Sequence, residues 1–126
     1  AVQCVVDWFG PTDFTTSYRS DAPKQLIDWV NDFLGPRTDA NKDNYRLASP
    51  ALYVSKSSAP MLIVHGTADP LVPFDQSMEL RDALKKAKVD VTLLRLEGGN
   101  HGFSEPAQFK KAWDESISYL VARLKP

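Results

Sequence analysis

Two residues of this chain have the types and the setting for acid–base chemistry. Asp69 stands in His65-Gly66-Thr67-Ala68-Asp69-Pro70-Leu71-Val72-Pro73, just after the apolar run Met61–Val64. His101 stands in Glu97-Gly98-Gly99-Asn100-His101-Gly102-Phe103, after a second apolar run, Val91–Leu96. In acyl transfer an imidazole takes the proton of a nucleophile and returns it to the leaving group, while a carboxylate orients the ring and stabilises its protonated form. Both groups must stand on loops at the carboxyl ends of parallel strands, where open α/β sheets place their sites. Taken singly, Asp69-Pro70 reads as a turn pair and His101 as a loop histidine beside glycines. Their order and their matching positions after two apolar runs favour the chemical reading. The expected nucleophile, a serine on a G-x-S-x-G turn between a strand and a helix, has no counterpart: that pentapeptide occurs nowhere in the 126 residues.

The elements that must position these residues can be read from period and punctuation. Val2–Val6 is short, β-branched and apolar, as a buried strand should be. Gly10-Pro11 stops it. Asp21 is expected to cap a helix with Pro23 in its first turn and Leu26, Ile27, Val30, Phe33 and Leu34 at helical spacing, ended by Gly35-Pro36. Arg37–Tyr45 reads as a loop or a short surface helix, Ala48–Tyr53 as a turn and Ser55–Pro60 as a linker. Met61–Val64 is the second strand. Asp75 is expected to cap the next helix, with Met78, Leu80, Leu84 and Ala87 as its apolar positions and Lys85, Lys86 and Lys88 at its C-terminal end. Val91–Leu96 is the third strand. Pro106 opens the last helix, with Phe109, Trp113, Ile117, Leu120, Val121 and Leu124 on one face. Strand–helix alternation with crossovers this long predicts an α/β fold of three parallel strands with flanking helices.

Composition narrows the classes. A net charge of −1 argues against a large electrostatic footprint for nucleic acid or an anionic membrane. No apolar run approaches the roughly 18 residues of a membrane span. The single Cys4 cannot form an intramolecular disulfide and reads as a small buried thiol rather than a nucleophile. Asp7 and Asp13 lack the His/Glu partners a metal site needs, and neither a P-loop, nor G-x-G-x-x-G, nor zinc spacing occurs, so no metal or cofactor is expected. The Lys85–Lys88 cluster reads as a solvated helix end. The chain opens directly in a strand, without an initiating Met, and reads as a piece of a longer polypeptide.

The wording around Asp69 and His101 is more specific than their spacing. Leu62–Pro73 and Leu96–Phe103 resemble the α/β-hydrolase superfamily, in the esterase/lipase branch related to acetyl and feruloyl-type esterases and to prolyl-oligopeptidase-type peptidases. Val5–Asp13, Val-Val-Asp-Trp-Phe-Gly-Pro-Thr-Asp, resembles the segment that follows the nucleophile helix there, and the Ser49-Pro50 turn fits as well. The resemblance implies that residues 1–126 are the C-terminal half of an α/β-hydrolase domain, without the nucleophile-bearing half. It implies Asp69 as triad acid and His101 as triad base of a serine carboxylic-ester hydrolase, inactive in isolation, acting in the intact parent on a small ester. Two alternatives stand beside it: a fragment of a prolyl-oligopeptidase-type peptidase, and a non-catalytic binding or assembly module. Trp8, Val72 and Phe74 are the candidate substrate-binding residues, with Phe9 and Pro73 beside them. His65 reads as a structural histidine under the Asp69 loop. Gly66, Gly98 and Gly99 read as suppliers of unusual backbone angles. The first strand would lack its outer neighbour, so a homodimer or swapped oligomer through that edge is expected.

Overall fold

The computed structural model describes residues 1–16 and 22–124. Three parallel strands form one sheet in the order β1-β2-β3: β1 is Val5–Trp8, β2 Met61–Gly66 and β3 Val91–Leu96. The helices are α1 Lys24–Leu34, α2 Lys42–Leu47, α3 Asp75–Lys86 and α4 Pro106–Arg123, with a short 3₁₀ helix at Pro50–Tyr53. The sheet and its flanking helices are those the sequence pattern predicts. β2 lies in the middle and reads as a continuous apolar run because both its faces are covered. Leu62 and Val64 face α4 together with Cys4, Leu96, Phe103 and Ala112. Ile63 faces α3 together with Leu80, Leu84 and Val89. Burying each of these aliphatic side chains contributes about 2 kcal/mol. A third cluster, Leu26, Val30 and Tyr45, packs α1 against α2.

Several elements depart from expectation. The first strand is Val5–Trp8 rather than Val2–Val6. Its pairing starts where the Val5 N–H donates to the Pro60 carbonyl (2.9 Å), and Val2 is exposed. β2 runs two residues beyond Val64 because His65 and Gly66 pair with Arg95 and Leu96. Asp75 is the first residue of α3 rather than its cap: Phe74 holds the cap position, with no side-chain hydrogen bond. The Asp75 charge still lies in the first turn, where the helix dipole favours it. Asp21 lies outside the described residues. The polar segment after Gly35 does hold a short helix, α2, because Tyr45 is buried and its hydroxyl donates to Gly35 O (2.6 Å).

α4 starts at Pro106 as the sequence predicts. Its apolar face is real, but Phe109, Trp113, Ile117, Val121 and Leu124 are all exposed. The buried line is Ala112, Ser116 and Tyr119, and the small Ala112 and Ser116 let the helix lie close on the sheet. The apolar stripe overhangs β1, the open edge of the sheet: Trp113, Ile117 and Leu120 line a cavity of about 370 Å³ with Val6 and Trp8.

Candidate active site

The two loops of interest leave the adjacent strands β2 and β3 at the same end of the sheet, and they are sewn together by backbone. The Thr67 N–H donates to Leu96 O and the Ala68 N–H to Gly99 O, each at 3.0 Å. The Gly98 N–H donates to Thr67 Oγ1 (2.9 Å). A Cβ on Gly66 would stand 2.1 Å from Gly99 O, so glycine is required there for close approach. This revises the expectation for the glycines: of Gly66, Gly98 and Gly99, only Gly98 has a positive φ (68°).

This seam brings Asp69 to His101. Asp69 Oδ2 lies 2.8 Å from His101 Nδ1. An ionised carboxylate only accepts, so Nδ1 carries the hydrogen and Nε2 of a neutral ring is left as a base. Asp69 Oδ1 accepts from the Leu71 and Val72 N–H groups (2.8 and 2.9 Å). Oδ2 also lies 3.2 Å from His65 Nε2. The Asp69 side chain is 0% exposed and the His101 side chain 31%. Burial pushes the Asp69 carboxyl up. Hydrogen bonds from His65, Leu71, Val72 and His101 outweigh that and hold it at about 2. The carboxylate is therefore ionised wherever His101 could act as a base.

Aromatic rings hold the imidazole from the other side. Phe9 packs on His101 with centroids 4.2 Å apart, and Phe103 packs on Phe9 at 5.1 Å. Both phenylalanines have left-handed backbones, φ 44° and 53°. Bulky residues rarely adopt that conformation, at a cost of order 1–3 kcal/mol, and such strain clusters at functional sites. Beside His101 opens a cavity of about 290 Å³ lined by Trp8, Phe9, Leu26, Trp29, Leu71 and Val72, among others.

Comparison with known proteins bears on what this geometry is for. Residues 1–84 match the family model described as BD-FAE. This chain belongs to the BD-FAE family, with the α/β-hydrolase fold. The BD-FAE chain is 28% identical to esterase LipC of Mycobacterium tuberculosis, over 82% of its own length and 26% of that protein. It is 30% identical to dipeptidyl aminopeptidase BIII of Pseudoxanthomonas mexicana, over 87% of its length and 16% of that protein. Among solved structures, a truncated carbohydrate esterase from gut microbiota superposes with a TM-score of 0.71 at 32% identity, covering 93% of the BD-FAE chain and 42% of that one. The acylaminoacyl peptidase of Pyrococcus horikoshii superposes at 0.82 and 25% identity, covering 98% and 20%. The relatives thus include esterases and peptidases, and the chain spans about a quarter or less of the curated proteins named here.

The remaining candidates of the BD-FAE chain fall in different places. Trp8 and Val72 line the cavity beside His101. Phe74 lies under the loop instead, 5.4 Å from the His65 ring and beneath the Arg95 guanidinium. Asp13 Oδ1 is occupied by its own turn, accepting from Thr15 N and Oγ1. Sequence reading missed two groups. Gln76 is buried and its Oε1 accepts from the Thr12 and Asp13 N–H groups (3.0 and 2.8 Å), tying the loop after β1 to α3. Ser77 is buried against His65. The signal for Ser77 was present: it is a polar residue on the stripe it shares with Leu80 and Leu84.

Proposed function

We propose that this chain is the acid–base portion of a serine carboxylic-ester hydrolase, with Asp69 as the orienting acid and His101 as the base, and with the nucleophile on polypeptide outside these 126 residues. One observation carries the reading: a fully buried, ionised carboxylate 2.8 Å from Nδ1 of a partly exposed imidazole that also lines a ligand-sized apolar cavity. His101 Nε2 is the atom that would take the serine proton and later protonate the leaving alcohol. The cavity walls, Trp8, Leu26, Trp29, Leu71 and Val72, suit an apolar acyl or alcohol group. The names of the esterase relatives support an ester substrate. The peptidase reading rests on relatives alone, and no contact among the described residues favours it.

The chain alone is expected not to turn over p-nitrophenyl acetate. The longer polypeptide that contains it is expected to be labelled on a serine by a fluorophosphonate and to lose at least about a thousand-fold in turnover on His101→Ala. Saturable hydrolysis by the 126 residues themselves, abolished by His101→Ala, would place the nucleophile inside the chain and overturn the proposal.

A further inference from the structure

We propose that His65, as the Nε2–H tautomer seated on Ser77, is a positioning residue that fixes the Asp69 carboxylate for His101. This rests on the acid–base reading of Asp69 and His101 above. His65 is 0% exposed at the end of β2, and its ring nitrogens meet three polar groups. Ser77 Oγ lies 2.5 Å from Nδ1. Val72 O lies 3.0 Å and Asp69 Oδ2 3.2 Å from Nε2.

The tautomer follows from what those groups can donate. The two oxygens at Nε2 are a carbonyl and an ionised carboxylate, and neither carries a hydrogen. A bare lone pair on Nε2 would face both of them in a buried setting. Nε2 therefore carries the hydrogen, and Nδ1 of the neutral ring is bare. The group at Nδ1 is a hydroxyl, which donates. The opposite tautomer would leave one lone pair against two acceptors, a penalty burial makes large.

The consequence is positional. One Nε2–H reaches both Asp69 Oδ2 and Val72 O, which are the two ends of the turn 69–72. The Val72 N–H closes the same turn from the other side by donating to Asp69 Oδ1 (2.9 Å). Asp69 Oδ1 then accepts two backbone N–H groups and Oδ2 faces two imidazole nitrogens at 2.8 and 3.2 Å, which restricts rotation of the carboxylate. Of the two imidazoles on Oδ2, His65 has both nitrogens engaged, so the partly exposed His101 is the one left to exchange protons with a substrate.

Ring-nitrogen NMR on the ¹⁵N-labelled chain tests this without any turnover. The expected result is a hydrogen on His65 Nε2, a bare Nδ1, and a His101 Nδ1–H protected from solvent exchange. Ser77→Ala leaves the buried His65 Nδ1 without a donor and is expected to loosen the ring and speed exchange of the His101 Nδ1–H about tenfold, the effect of losing about one hydrogen bond, with the hydrogen still on Nε2. His65→Gln keeps an N–H donor and is expected to preserve that protection; His65→Leu is expected to lose it. A hydrogen found on His65 Nδ1, or equal His101 protection in the Leu and Gln variants, overturns the proposal. If the His65 variants do not fold, the tautomer in the unsubstituted chain and the Ser77→Ala result decide it. Asp69→Asn separates the two readings: a His101 Nδ1–H still protected in that variant counts against the acid–base pair itself, whatever tautomer His65 shows.

Discussion

Asp7 and Asp69 are aspartates with buried carboxylate oxygens on neighbouring strand tracks, one inside β1 and the other three residues past β2, and their surroundings treat them in opposite ways. Asp69 has donors facing both oxygens of its carboxylate, and its pKa is held at about 2. Asp7 Oδ2 is buried with no hydrogen-bond partner among the described residues. Burial pushes its pKa up, against a Gly10 N–H that lowers it. The contrast extends to the regions around them. The corner at the ends of β2 and β3 is completed by residues of this chain. The β1 edge is not: Val5 N and Phe9 N donate toward β2, so the intervening backbone groups of Val6 and Trp8 face outward. Cavities of about 320 and 370 Å³ open on its two faces. Asp7, with its unpaired carboxylate oxygen, lines the first of these cavities.

The comparison can be broken most forcefully at Asp69. Asp69→Ala leaves the His101 ring N–H and two backbone N–H groups without their acceptor and is expected to cost about 3 kcal/mol at neutral pH in urea unfolding. The pH dependence has a definite sign. The folded pKa of about 2 lies below the unfolded value, so the ionised carboxylate contributes on the order of 2 kcal/mol above about pH 4, lost as pH falls toward 2. The stability gap between the parent chain and the variant should close over that window. A gap that stays constant would mean that the carboxylate gains nothing from its donors.

Gly66→Ala attacks the same corner through the backbone. Its Cβ would meet the Gly99 carbonyl, which cannot swing aside, and the expected loss is about 2 kcal/mol by thermal unfolding. At the other aspartate the sign reverses. Asp7→Asn removes a buried charge and is expected to stabilise the chain by about 1 kcal/mol at pH 7. Because burial raises the folded pKa of Asp7, the protonated parent is at its best below the usual carboxylate range and weakens as pH rises through the raised value. The gain should therefore vanish in acid, and a gain at low pH would show that Asp7 is not the strained group. The smallest effect is expected on the overhanging stripe. Ile117→Ser and Val121→Ser should change stability by less than about 0.5 kcal/mol. They should reduce self-association in sedimentation equilibrium, because association is expected through the β1 edge that this stripe flanks. A chain that stays monomeric across micromolar concentrations removes that expectation.

Where the chemistry depends on local wording, the sequence was readable. Asp69 and His101 follow apolar runs that had to be strands, and the carboxylate–imidazole contact forms where those loops meet. The limits were set by information that lies between elements. Periodicity locates the apolar face of α4 but not what that face meets: Phe109, Trp113 and Val121 stand exposed, and the closest packing falls to Ala112 and Ser116. Apolar composition started the first strand at Val2, but Pro60 fixes where pairing begins. Gly66 and Gly99 were read for backbone angle, whereas the spacing of two loops demands them. His65 was placed under the loop correctly; its bond to Asp69 depends on ring orientation, which no linear pattern encodes.

The contact between Gly66 and Gly99 has a mechanical meaning. With two backbones touching and amides of each loop bonded across the seam, the carboxylate and the imidazole travel as one rigid body. On the proposed acid–base reading, admission of a substrate would not work by parting acid from base. Any gate has to be built from the walls around them, the exposed Trp29 among them. In hydrogen exchange the Thr67, Ala68 and Gly99 amides should open together and late, as a single hinge-free block.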